Sequence, residues 1–236
     1  MSWLIEAIAA GIIAFTATNI DDIVILMVFF SQVRETPLSN DGASSDFVNS
    51  NFRRRHIIVG QYLGFTALLI ASLPGYFGGL IISKAWIGIL GLMPIAIGIK
   101  SLVDREENDS EIQTVSSQFQ SVNLNKPTSI FATFIHSQTY NVAAVTIANG
   151  GDNIGIYVPL FASSNLSSLL AILIIFLILV GIWCYIAYRL TRQRNIAKVL
   201  TGYGSVFTPF ILIGLGIFIM LENDTFQLLN KLPFLN

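Results

Sequence analysis

The sequence predicts an all-α integral membrane protein with six transmembrane helices, arranged as two inverted three-helix repeats. Of the 236 residues, 53% are hydrophobic and only 11% charged, where a soluble domain carries about 25% charge; the mean hydropathy is +0.68. Six apolar stretches are long enough to cross a bilayer, which takes roughly 20 residues of helix. Two polar motifs of similar sequence interrupt the first stretch of each half of the chain.

The first expected span covers residues 4–30. It opens MSWLIEAIAAGIIAF with no Lys or Arg ahead of the apolar run, whereas a signal peptide needs a basic leading region and a small-residue cleavage site, so this span is expected to be retained. The second, 57–80, carries Gly60-x-x-x-Gly64, a spacing that lets helices approach closely in lipid. The third, 85–103, contains Pro94 and Gly98, and the sixth, 199–221, echoes them with Pro209 and Gly214. The fourth and fifth spans are 138–161 and 168–188. The chain is thus read as one transmembrane domain over 1–236: repeat 1 at 1–103, a cytoplasmic linker at 104–129, repeat 2 at 130–221 and a tail at 222–236.

Cytoplasmic loops hold the excess of Lys and Arg. Eleven of the 13 basic residues fall in alternate connections, at Arg34, Arg53, Arg54, Arg55, Lys100, Arg105, Lys126, Arg189, Arg192, Arg194 and Lys198, leaving Lys84 and Lys231 opposite. With six spans this puts both termini outside.

A net charge of -1 without a basic cluster excludes a nucleic-acid partner, which requires Lys and Arg gathered on one face. The single cysteine, Cys184, cannot form an intramolecular disulfide or a thiolate cluster for a soft metal; it reads as a packing or lipid-facing residue. No G-x-x-x-x-G-K-[ST] phosphate loop is present, so nucleotide hydrolysis by that route is not expected. Neither enzymatic activity nor a cofactor is expected.

The polar motifs are A-T-N-I-D-D-I-V-I, Ala17 to Ile25, and A-N-G-G-D-N-I-G-I, Ala148 to Ile156. At an offset of 131 residues Ala17 matches Ala148, Asp21 matches Asp152, Ile23 matches Ile154 and Ile25 matches Ile156. An odd number of spans per half inverts the second half, the plan of many secondary transporters. An ionised carboxylate at the bilayer centre costs roughly 2.5 to 3.5 kcal/mol on insertion scales, so Asp21, Asp22 and Asp152 are expected to be buried, facing the bundle or a water-filled cavity. On a helix Asn19 shares a face with Asp22, Thr18 neighbours both Asp21 and Asp22, and Asn149 neighbours Asp152 and Asn153. Facing one another, the two clusters would offer carboxylate and amide oxygens from Asp21, Asp22, Asp152, Asn19, Asn149 and Asn153, with Thr18 behind them: ligands for a partly dehydrated cation. Gly150 and Gly151 are expected to interrupt the fourth helix and free backbone carbonyls for the site, with Pro159 a further kink point. Adjacent residues point about 100° apart on a helix, so the choice between Asp21 and Asp22 stays open.

Other polar residues have plainer readings. The acidic run Asp104, Glu106, Glu107, Asp109 and Glu111 reads as a solvated loop, His136 as interfacial, and Glu6 as reaching the headgroups.

At T-N-I-D-D and A-N-G-G-D-N-I-G-I-Y-V-P-L-F the chain resembles the cadmium resistance transporter family, a branch of the lysine exporter superfamily of small six-span exporters, over nearly its whole length. The resemblance implies efflux of divalent cations, with Asn19, Asp21, Asp22, Asn149, Asp152 and Asn153 as the residues concerned, the bacterial inner membrane as location, and a homodimer as the assembly. Cadmium favours sulfur while this site offers oxygen, so zinc, manganese and calcium stay open as transported ions. A weak oxygen site suits an exporter, which must release what it binds.

Exporting a divalent cation against 100 mV costs about 4.6 kcal/mol, from roughly 2.3 per charge. Proton exchange would offset this: the adjacent carboxylates of Asp21 and Asp22 repel, and protonation from outside would release the metal and reset the site. One competing reading is an exporter of organic cations such as quaternary ammonium compounds or basic amino acids, which calls for an aromatic cage; only Phe15 and Tyr157 flank the motifs. A second is an intramembrane aspartyl hydrolase using Asp22 and Asp152, against which the surrounding asparagines argue.

Overall fold

In lipid every backbone polar group must find a partner within the protein, and a helix achieves this within one segment. The computed structural model describes residues 2–33, 53–103, 137–191, 194–223 and Thr225, and the regular elements among them are all helices. The linker, including its acidic run, His136 and most of the tail lie outside the described residues.

The helices are α1 (Ser2–Asn19), α2 (Asp22–Ser31), α3 (Arg54–Ile81), α4 (Lys84–Ile89), α5 (Leu92–Val103), α6 (Ser137–Asn149), α7 (Ile154–Ser163), α8 (Leu166–Leu190) and α9 (Arg194–Glu222). Three segments are long and apolar enough to cross a membrane singly, Arg54–Ile81, Trp86–Val103 and Leu166–Leu190. The first stretch qualifies as a fourth only as a pair, Trp3–Asn19 with Asp22–Ser31, bent by 60° at the break. Ile154–Ser163 and Val206–Glu222 are apolar but shorter. The fourth expected stretch falls short because Ser137, Gln138, Thr139 and Asn141 open it and Gly150–Asn153 interrupts it.

Glycines set the helix contacts. Along α3, a Cβ on Gly60 would stand 2.6 Å from Val142 Cβ and one on Gly64 2.6 Å from Thr146 Cβ, while Gly75 abuts the Val158 carbonyl and Gly79 that of Ala162. One face of α3 therefore lies against both α6 and α7. The α1–α2 pair packs on α8, with Gly11 against Ile172. Helices α5 and α9 meet where Gly98 approaches the Pro209 carbonyl and Gly91 approaches Gly216. Gly214, matched to Gly98 from sequence, has nothing within 4 Å; Gly216 makes the contact instead.

The centre is aromatic. Phe15 meets Phe65 at 5.4 Å and Phe176 at 5.7 Å between ring centroids, and Tyr157 meets Phe176 at 4.9 Å. Cys184 is buried, as packing requires. The outer faces instead expose large apolar side chains, among them Ile5, Ile70, Leu80, Ile174 and Phe207, far more than a water-soluble monomer presents. At one end, the guanidinium of Arg54 sits 4.3 Å from the Tyr188 ring centroid, which also packs on Phe30. This brings the end of α2, the start of α3 and the end of α8 together beside basic residues.

Candidate functional site

Both polar motifs coincide with breaks in helices. Helix α1 ends at Asn19 and α2 starts at Asp22; α6 ends at Asn149 and α7 starts at Ile154, with Gly150–Asn153 in a turn between them. Gly150 is buried against the Leu68 side chain, so a larger residue there would collide with α3, whereas Gly151 is exposed.

The three aspartates do not share one environment. Asp22 is buried, 5% exposed, while Asp21 and Asp152 are exposed at the surface of the bundle. Expected burial of all three is thus met only at Asp22. The reason is angular: neighbours on a helix diverge by about 100°, so Asp22 turning inward turns Asp21 out. Position for position at the same offset of 131, exposed Asp21 corresponds to exposed Asp152, and buried Asp22 to Asn153, itself 2% exposed.

Buried Asp22 is held by amides. Asn149 Nδ2 donates to its Oδ1 at 2.6 Å, and Gln61 Nε2 donates to its Oδ2 at 3.1 Å. Gln61 is in turn fixed by Thr146, whose hydroxyl donates to Gln61 Oε1 at 2.7 Å and also lies 2.9 Å from the Val142 carbonyl. One carboxylate thereby joins α2, α3 and α6.

A second network ties α1 to α7. Tyr157, fully buried, has its hydroxyl 2.8 Å from Thr18 Oγ1 and accepts from Asn19 Nδ2 at 2.9 Å. Asn19 Nδ2 also lies 2.8 Å from the Phe15 carbonyl and 2.7 Å from Thr18 Oγ1, and Trp183 of α8 donates to the Asn19 backbone carbonyl at 2.7 Å. The donor side of the Asn19 amide is fully used, yet its Oδ1 is buried without a partner, as is Asn153 Nδ2. A buried acceptor left unmatched costs about 1–3 kcal/mol.

Of the residues expected at the site, the structure brings Asp22 and Asn149 into direct contact and buries Asn19, Asn153 and Thr18 around the breaks; Asp21 and Asp152 stand outside this contact. Among the described residues no three His, Cys, Asp or Glu side chains converge as a metal cluster.

Gln61, Thr146 and Trp183 join the site without a sequence expectation, and Tyr157, expected only as an aromatic flanking the second motif, joins it through its hydroxyl. Gln61 had a visible signal, a long amide inside the apolar run I-I-V-G-Q-Y-L-G-F, and Thr146 lies one helical turn before Asn149. His56, also unpredicted, is buried at the start of α3 with Nδ1 2.9 Å from Gln138 Oε1.

No curated protein and no solved structure matches the chain. A family model does, the one described as cadmium resistance transporter, over residues 15–232. That range contains both helix breaks and every residue of the two hydrogen-bond networks. The chain, whose described regular elements are all helices and several of them long and apolar enough to cross a membrane, belongs to the cadmium resistance transporter family.

Proposed function

We propose that the chain is a secondary transporter that exports divalent heavy-metal cations, cadmium first and zinc next, from the cytoplasm by exchange with protons. The observation that carries this reading is Asp22, the one carboxylate buried among the described residues, set at a helix break and held by amide side chains, with the orphaned Asn19 Oδ1 at the end of the preceding helix. A lone buried carboxylate balanced by amides has the character of a transport site: charged enough to attract a dication, weak enough to let it go. Asn19, Asn149 and Asn153 would add amide oxygens, with Thr18 orienting Asn19 and the turn at Gly150 and Gly151 offering backbone carbonyls. Asp21 and Asp152, exposed at matching positions of the two breaks, would attract the cation on its approach.

The six-span inverted repeat remains our reading of the architecture. It is supported by the packing partners, since exchanging the two halves carries the pairing of α1–α2 with α8 onto that of α6–α7 with α3, and keeps α5 with α9. The inner membrane, termini outside and a homodimer complete it. Cadmium content of cells expressing the chain is the direct test. Content should fall relative to cells without it, and Asp22→Asn should abolish the fall. Equal content in all three sets of cells would refute metal export and bring organic cations forward.

A further inference from the structure

We infer that Gln61 is a ligand of the transported cation, and that the Thr146 hydroxyl lets its amide turn between a hydrogen-bonding and a metal-binding orientation. This rests on the reading of Asp22 as the cation-binding carboxylate.

Both carboxylate oxygens of Asp22 are taken by N–H groups, Oδ1 by Asn149 and Oδ2 by Gln61. Those amide hydrogens carry partial positive charge where a dication would have to sit, so cation and amides cannot face Asp22 together in this arrangement. Rotating an amide by about 180° about its terminal bond exchanges its oxygen and nitrogen with little displacement of other atoms, because that torsion is broadly two-fold. Turned in this way, Gln61 and Asn149 each present an oxygen beside the carboxylate, and a repelling pair of donors becomes a pair of ligands.

Such a turn fails if the amide's other end is then left without a partner. At Gln61 that end faces Thr146. The threonine hydroxyl has one hydrogen and two acceptors in reach, Gln61 Oε1 at 2.7 Å and the Val142 carbonyl at 2.9 Å. When its hydrogen points to Gln61, the Gln61 N–H faces Asp22. When it points to Val142, the hydroxyl oxygen can accept from Gln61 Nε2, and Oε1 is free to face the ion. A hydroxyl serves both orientations; a fixed donor would lock the first. The Oδ1 of Asn19, the last residue of α1 before the break that Asp22 follows, is likewise a buried oxygen without a partner.

The test is calorimetric titration of the purified full chain in detergent with cadmium, alongside thermal unfolding without metal, for the unaltered protein, Asp22→Asn, Gln61→Leu, Gln61→Glu, Thr146→Val and Thr146→Ser. Gln61→Leu should weaken binding about tenfold or more, and Gln61→Glu, which keeps an oxygen and loses the donor, should bind at least as tightly as the unaltered chain. Thr146→Val should weaken binding by about tenfold, as loss of a supporting partner does, and Thr146→Ser should restore it. Binding unchanged in Gln61→Leu while Asp22→Asn fails would remove Gln61 from the ligand set and leave the proposed site standing. Should Gln61→Leu not fold, weaker binding by Gln61→Glu would overturn the ligand role, because a residue needed only as donor is lost in both. No binding by the unaltered chain would overturn this inference and the metal-export reading together.

Discussion

Asn149 places its side-chain nitrogen 2.6 Å from a carboxylate oxygen of Asp22, so the last residue of one broken helix grips the first residue after the break in another. The two polar motifs, 127 residues apart at this contact, meet through it. A charge-assisted hydrogen bond of this kind contributes about 1.5–3 kcal/mol. Asn149→Leu should lower the unfolding midpoint in detergent. The exchange Asp22→Asn with Asn149→Asp, which restores a carboxylate–amide pair in reversed order, should recover most of the loss. A double variant no more stable than the sum of its singles would deny the contact.

Tyr157 tests the second bridge. Tyr157→Phe keeps the ring among Phe65, Phe161 and Phe176 but removes the hydroxyl that meets Thr18 and Asn19. Loss of two neutral hydrogen bonds should cost about 1–3 kcal/mol, read as a lower unfolding midpoint. Removing the ring in Tyr157→Ala adds a cavity penalty and should cost about 3–5 kcal/mol, as large aromatic truncations do. Equal effects of the two substitutions would mean the hydroxyl contributes nothing.

The glycine seam gives a contrast between similar changes. Gly64→Ala places a Cβ 2.6 Å from Thr146 Cβ and 2.8 Å from the Ala143 carbonyl, so α3 and α6 must separate. Overpacking of this kind costs about 1–3 kcal/mol, and because Thr146 holds Gln61, cadmium affinity should fall as well. Gly214→Ala meets nothing within 4 Å and should leave folding and binding as they are. The two are compared by yield of monodisperse protein and by cadmium titration.

Much of this arrangement is legible in the sequence, and its gaps have physical causes. The break at A-N-G-G-D-N is visible in its two glycines, whereas T-N-I-D-D shows only as polar residues in a span expected to run unbroken over 4–30. Which aspartate is buried is not visible, since that depends on how each half-helix is rotated after the break, and a rotation of about 100° exchanges Asp21 for Asp22. Gln61 escapes notice because one amide in an apolar span can equally pair with a neighbouring backbone; its partner lies 39 residues away in sequence. Tyr157 lies further still from Thr18, 139 residues along the chain, and only the meeting of two half-helices makes the pair.

The aspartates should also rank in order. Asp22→Asn removes the only buried carboxylate of the three, whereas Asp21→Asn and Asp152→Asn alter exposed ones. Cadmium affinity should therefore collapse in the first and fall only several-fold in the other two, more steeply at low salt, where exposed charges act over longer range. Titration at two ionic strengths checks this. Equal losses at all three positions would mean that Asp21 and Asp152 also enter the coordination.

On the proposed reading, Asp22 carries a divalent cation across the membrane in exchange for protons. Uptake of cadmium into inverted membrane vesicles under an imposed proton gradient, acidic inside, tests it most directly, with unaltered chain and Asp22→Asn compared at equal, verified amounts of folded protein. Accumulation should collapse when the gradient is dissipated and be absent in Asp22→Asn. Cadmium accumulation that persists unchanged in Asp22→Asn, or that ignores the proton gradient, would contradict it.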